Sequence, residues 1–451
     1  MRIDEAKIIS RFFSSSYKRV FLNGKKIKII ECADQLGLGG TEYALQLYCK
    51  YLDKEKFDVT AVGLYKGGER EQLIKGLGIK VVVLNGDFNE FEKIIEGTDV
   101  FHWHGYGQVD EKLFASLNKN KPRLIIQTNV FGHFEKSPFY DLIDFDLYIS
   151  KMILVRRMAL DGSYAEQFVG KRKVLPYPVD IDFLKDENIE PPLADVEQFK
   201  IKHNINDCFV VGRVGRADDH KFDMITLTAF AEYLNYNNNA KFLLVGATKR
   251  MLALIKKLKI TNSVIILDNT THMKQLLTYY KAMDVFLAAS NIGESFGMVM
   301  AEAMSMGVPV VTISTPAKDN AQVEVVDNGD TGFVTYRLKE TIAAAINQIC
   351  CNPEQAKLFG KNSIQKIYRS YRAQDIVHSL EQLILKNLGI EFKDAPYLIV
   401  NWDNDLKADY KNRCSNLFGQ PNLIGKIKVR YYQTFAYKVH NKLFSIIRKM
   451  W

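Results

Sequence analysis

From Lys26 onward the sequence alternates short runs rich in β-branched residues with stretches whose apolar positions recur every three or four residues: KIKIIEC, TEYALQLYCKYL, FDVTAVGLY, REQLIKGL and IKVVVLN. Strand candidates continue at DVFHWH, RLIIQTNV, DLYIS and RKVLP. Strands and helices alternating at this spacing imply right-handed crossovers and a parallel sheet covered on both faces. The pattern pauses between Asp182 and Asp207, where Pro191, Pro192 and many charges predict a connecting segment, then resumes at CFVVGRVG, KFLLVG, SVIILD, DVFLAAS and VPVVTIS. Two open α/β units in tandem are therefore expected, with helical segments over about 338–386. The expected divisions are an extension over 1–24, a first Rossmann-like unit over 25–185, a second over 186–370, a helix over 371–390 packing back toward the first unit, and a tail over 391–451.

A chain of 451 residues suits two such units, since domains run to roughly 100–200 residues each. Charge is unevenly placed. No acidic residue follows Asp409, whereas nine Lys and Arg do, so residues 1–409 carry 52 of each sign and the net +9 belongs to the last 42 residues. The six cysteines form no CxxC and no zinc spacing, which fits a reducing cytosol better than a disulfide framework. The start, MRIDEAKIISRFF, lacks a continuous apolar h-region, and no stretch of about 18 apolar residues occurs, so neither a secretory leader nor a membrane span is expected.

Ligands of open α/β sheets lie beyond the carboxyl ends of the strands. After the first strand, ADQLGLGG brings Gly39 and Gly40 to a helix start, where free amides favour an anion; a plain tight turn accounts for the same residues. FHWHGYG places His102 and His104 on one side of an extended segment, able to bind a hydroxyl or move a proton, or simply to serve the structure. GRVGRADDHK puts Arg216 and Lys221 around one loop, a fork and a point charge suited to two phosphates. In NIGESFGMVMAEAMSMGVPVV, Ser295 is expected to cap a helix running to Gly307. That places Glu294 just before the helix and Glu302 roughly 12 Å along it, too far apart to share a metal. The two carboxylates suit opposite ends of a polyhydroxylated ligand, with Gly297 allowing close approach between them.

Together these residues resemble the GT-B glycosyltransferases, specifically the large family 4 or "group 1" transferases, over about residues 26–386. The carriers are the E-x7-E pair Glu294 and Glu302, the DVFLAAS strand, GRVGR with Arg216 and Lys221, NGDTGF at Asn328–Phe333, GGTE at Gly39–Glu42, and His104. The resemblance implies two Rossmann-like domains facing a central cleft, and retaining transfer of a sugar from a nucleotide diphosphate sugar, with a UDP- or GDP-sugar as co-substrate and no metal or other cofactor. It also implies that Glu302 holds the ribose, Glu294 the donor sugar, and Arg216 with Lys221 the diphosphate. Phosphate or sugar contacts would come from Gly39, Gly40, Ser295, Phe296 and Gly297, and His104 would touch the sugar. The sequence departs from the family at VLPYPVD, with Tyr177-Pro178 in place of Asn-Gly, and at IIQTNVFGH, with Asn129 after the Thr. DxD triplets at Asp144–Asp146 and Asp180–Asp182 offer a metal-dependent alternative that the tandem organisation opposes.

Beyond Gly425 the tail reads as a basic amphipathic helix, with Tyr432, Phe435, Val439, Leu443 and Ile446 on one face and Lys438, Lys442 and Lys449 on another. Residues 424–451 could lie on an anionic membrane surface near a glycan or lipid-linked acceptor, or pack on the protein. The apolar stripe argues against nucleic acid as the partner. A cytoplasmic enzyme, peripheral on a membrane, is the resulting expectation, with a non-catalytic nucleotide-sugar-binding scaffold as the alternative.

Overall fold

The computed structural model describes residues 25–181, 193–270, 272–390, 397–421 and 423–427. The expected extension at 1–24, most of the amphipathic segment, and Asp182 lie outside these. The first sheet contains β1 (Ile27–Gln35), β2 (Phe57–Lys66), β3 (Lys80–Val83), β4 (Val100–Gly105), β5 (Leu124–Asn129), β6 (Phe145–Tyr148), β7 (Arg172–Val174) and β16 (Val400–Asn401). Its order is β16-β7-β6-β5-β4-β1-β2-β3, parallel throughout except for β16. The second sheet contains β8 (Phe209–Val214), β9 (Ala240–Val245), β10 (Val264–Leu267), β11 (Val285–Ala288), β13 (Val310–Ile313) and β15 (Gly332–Thr335), all parallel in the order β10-β9-β8-β11-β13-β15. A separate pair, β12 (Gly293–Glu294) with β14 (Asp319–Asn320), stands beside it. This is the α/β architecture of two parallel-sheet domains.

Central strands are buried along their length, as β4 and β5 show at every position, because helices cover both faces. The helix Gly40–Tyr51 lays Leu45, Tyr48 and Cys49 against Ile29 and Phe57, and the helix Ala373–Asn387 adds Ile376, Leu380 and Ile384 to the same cluster. That late helix thus covers the first sheet, and the chain returns to it where Val179 N donates to Tyr371 O at 2.8 Å and Ala373 N to Val179 O at 2.9 Å.

Two expectations need correction. The connecting segment holds a helix, Leu193–Lys202, among its charged residues. The chain also does not leave the folded body at 391. Val400 and Asn401 extend the first sheet antiparallel to Val174 and Lys173, the helix Asn404–Ser415 follows, and Phe418 N donates to Val334 O on the edge of the second sheet at 2.8 Å. A two-residue strand and a helix that buries Leu406 alone carry no periodic signal, so only pairing to distant edges reveals them.

Candidate functional site

The carboxyl end of β8 opens into Gly215–Lys221. Lys221 Nζ lies 3.1 Å from Glu294 Oε2, joining this loop to β12. Arg216 is exposed and makes no hydrogen bond or ion pair among the described residues. The loop is held from behind at Gly246, where an added Cβ would come within 2.0 Å of the Gly215 carbonyl.

Glu294 belongs to β12, beside Asn320, and its carbonyl accepts from Ala321 N at 2.8 Å. The helix that follows begins later than expected, at Met298, and ends at Ser305, with Gly297 as its N-cap at φ 105°. Ser295 therefore does not cap it; its hydroxyl donates to Asp319 Oδ2 at 2.5 Å instead. The strand pairing of β12 with β14, invisible locally, draws Ser295 away from the helix axis. Asp319 is also gripped by Arg156 of the first unit, whose other nitrogen donates to the Phe131 carbonyl at 2.8 Å. A left-handed φ at Gly297 turns the chain sharply into the helix, where Met300 N and Ala301 N both donate to the Gly297 carbonyl, at 3.0 and 3.2 Å.

Phe296 points the other way. Its ring is 3% exposed and sits 6.0 Å from Tyr177 and 5.2 Å from Tyr371, edge to face, so only its backbone faces a ligand. Tyr177, where the sequence departs from the family, is thus an interdomain packing residue, and its hydroxyl donates to Thr41 Oγ1 at 3.2 Å.

Glu302 lies in the helix Met298–Ser305 and accepts from the Tyr280 hydroxyl at 2.7 Å. Burial pushes its pKa up to about 6, opposed by Tyr280 and by Arg70 from the first unit. Arg70 stands 4.7 Å over the Tyr43 ring and donates to Gln46 Oε1 at 2.6 Å. Gly40 faces the same helix start, since a Cβ there would meet Met298 Cγ at 3.9 Å. Gly39 is closed over Glu42, whose carboxylate accepts from Gln35 Nε2 at 3.1 Å and would lie 2.0 Å from an added Cβ. The Gly39–Gly40 loop of the first domain and the helix start at Met298 of the second therefore meet, with Lys221 and Glu294 joined on the second-domain side.

His104 does not face this cleft. Its side chain has no exposed surface: Nε2 lies 2.6 Å from Glu31 Oε2, and His102 Nδ1 lies 2.9 Å from the same oxygen. Burial alone would raise Glu31, but the two imidazoles overcome it and hold the carboxyl at about 2. Burial and His102 together depress His104 to about 4. These three are the one group among the described residues with metal-like composition. Their spacing is that of a carboxylate clasped between two imidazoles, and they are sealed off, with no open position for a substrate. Register explains the outcome: Ala33 lies beside His104, so β1 presents Glu31 to both rings.

Of the DxD triplets, Asp144, Asp146 and Asp180 are likewise engaged within the fold, and Asp182 lies outside the described residues. Asp146 accepts from Gln127, Tyr140 and Tyr148 in the core, Asp144 from Ile125 N, and Asp180 pairs with Lys50 at 2.6 Å. Residues absent from the sequence reading are Glu31, Arg70, Arg213, Tyr280 and Asp319. Glu31 and Arg213 had a local signal, a lone charge inside an apolar strand; the others are brought in by tertiary contact.

Residues 195–366 match the family described as "Glycosyl transferases group 1". The chain is 26% identical over 200 residues to the capsular polysaccharide biosynthesis glycosyltransferase CapM of Staphylococcus aureus, covering 42% of this chain and 51% of that protein. It is 30% identical over 149 residues to N-acetyl-alpha-D-glucosaminyl L-malate synthase of Bacillus anthracis, covering 32% and 37%. The matches thus span about half or less of these curated relatives. Among solved structures, a glycosyltransferase from Rickettsia africae superposes with a TM-score of 0.67 at 16% identity, over 81% of this chain and 99% of that one. Anabaena Alr3699/HepE in complex with UDP and glucose superposes at 0.64 and 19%, over 79% and 99%. The fold is that of the GT-B glycosyltransferases.

Proposed function

We propose that this protein is a retaining glycosyltransferase of family 4 type that moves a sugar, a hexosyl group, from a UDP- or GDP-sugar to a glycan or lipid-linked acceptor in the making of a cell-surface polysaccharide, lipopolysaccharide or glycolipid. The observation that carries this reading is the Lys221–Glu294 pair, on the same loop as an exposed Arg216 that has no partner among the described residues, with the Gly39–Gly40 loop packed on the helix that follows Glu294. Relatives support it: HepE is described with UDP and with UDP-glucose, and CapM by its role in capsule synthesis.

In this reading Glu302 accepts from the ribose hydroxyls and Glu294 from the donor sugar. Departure of the nucleoside diphosphate builds negative charge on phosphate oxygen; Arg216 from the exposed loop, Lys221 and the amides around Gly297 are the positive groups that stabilise it in place of a metal. Gly39 and Gly40 close the phosphate side from the first domain. Titration with UDP, GDP, ADP and CMP in the presence of a chelator tests the assignment. Metal-free binding of one diphosphate, lost in Arg216→Ala, is expected; no binding of any would overturn it and favour a scaffold.

A membrane surface is the proposed second partner. No helix among the described residues is long and apolar enough to cross a membrane. Residues 423–427 nonetheless expose Leu423, Ile424 and Ile427 at the head of the basic segment. Anionic liposomes should sediment the full chain and not one ending at residue 422, and equal sedimentation of both would dismiss this partner.

A further inference from the structure

A charged side chain inside a parallel strand is costly unless something compensates it, and Arg213 is such a side chain. It lies next to last in β8, a strand covered by β9 on one side and β11 on the other, and is 4% exposed. Its guanidinium packs beneath the loop that carries Arg216: a Cβ at Gly215 would lie 3.2 Å from Nη1. Phe222, just after Lys221, places its ring 6.0 Å from Cζ. Among the described residues it makes no ion pair, Nη1 donates to the Val214 carbonyl, and Nε has no partner. A guanidinium carries five N–H donors and stays charged when buried. The carboxylate of Glu294, on the neighbouring β12, is the anionic group that most offsets the cost of burying this charge.

A buried cation thus lies directly beneath the loop that carries Arg216 and Lys221, with no ion pair among the described residues. We infer that Arg213 is a positioning residue for the donor site, one that supports the Gly215–Lys221 loop from below and adds fixed positive potential where a diphosphate meets the end of β8. This rests on the donor-site reading above and goes beyond Arg216 and Lys221, which reach the ligand from the exposed loop. Arg213 acts from beneath, where water does not screen it.

The test compares the unaltered protein with R213M, R213Q and R213K, each first shown to be folded by circular dichroism and thermal melting. Calorimetry then measures UDP, GDP and the corresponding monophosphates and nucleosides. R213M and R213Q should bind the preferred diphosphate about tenfold or more weakly while nucleoside binding changes little, and R213K should recover part of the loss. Should R213M fail to fold, the shorter, polar and uncharged R213Q carries the comparison with R213K. Unchanged diphosphate affinity in a folded, uncharged variant overturns the inference alone. Equal loss for diphosphate and nucleoside also overturns it, because that pattern reports general damage. Absence of any diphosphate binding by the unaltered chain removes the donor-site reading and this inference with it.

Discussion

Glu324 Oε1 stands 2.5 Å from the backbone nitrogen of Met152, and its other oxygen 3.0 Å from that of Lys151, so a carboxylate of the second domain caps the helix Lys151–Asp161 of the first. Beside it Lys151 pairs with Asp409 at 3.0 Å, and within the second domain Lys366 pairs with Asp327 at 2.7 Å and donates to the Glu324 carbonyl at 2.6 Å. The strap over residues 397–421 crosses the same place. Burial pushes Glu324 up to about 7, against the two amides and the nearby Lys151 and Arg413.

A pH dependence follows from that shift. The folded state holds the Glu324 proton more tightly than the unfolded chain, so the contribution is fully present below about 4.5 and is lost as pH rises through about 7. Urea unfolding of the unaltered protein and of Glu324→Gln across that window should differ by a term that falls by on the order of 2 kcal/mol toward high pH. Parallel stability curves would count against it.

Glu302 gives a ligand-linked counterpart. With its pKa near 6, the proposed ribose contact calls for the ionised form as acceptor, so diphosphate affinity should rise by about tenfold between about pH 5 and 7. Glu302→Gln should flatten the profile. Tyr280→Phe removes the donor that favours the carboxylate and should move the midpoint upward; an unmoved midpoint would show that this hydroxyl does not govern the titration.

Phe296→Ala deletes the ring wedged between Tyr177 and Tyr371. A buried phenyl of this kind contributes about 3–5 kcal/mol, and the loss should appear in the denaturation midpoint. Phe296→Leu should retain more than half. A loss below about 1 kcal/mol in the alanine variant would mean that the domains close over the gap.

Gly297→Ala puts a Cβ on a residue at φ 105° and within 2.2 Å of Met300 Cε. The methionine end can swing aside, whereas the left-handed backbone cannot relax without turning the helix start, at a cost of about 1–2 kcal/mol. Diphosphate binding should therefore weaken by at least about fivefold in a protein that still folds. Wild-type affinity would remove the helix start from the proposed site.

The α/β class, the tandem order of two units and the strip from Glu294 to Glu302 are legible in linear sequence, because periods of two and 3.6 residues and a run of motifs are local properties. Burial of alternating apolar faces leaves such a chain few other folds. Individual side-chain roles are another matter. Ser295 reads as a cap until β12 pairs with β14 and hands it to Asp319, and His104 reads as a cleft residue until the register of β1 against β4 sets Glu31 beside His102, within reach of the His104 ring. Phe296, Glu324 and the strand at Val400 acquire their partners from residues at least 70 positions away, across a domain boundary. Those contacts are chosen by three-dimensional closure of the two sheets and their shared helices, a long-range competition among buried surfaces and hydrogen-bond partners that no window of sequence contains.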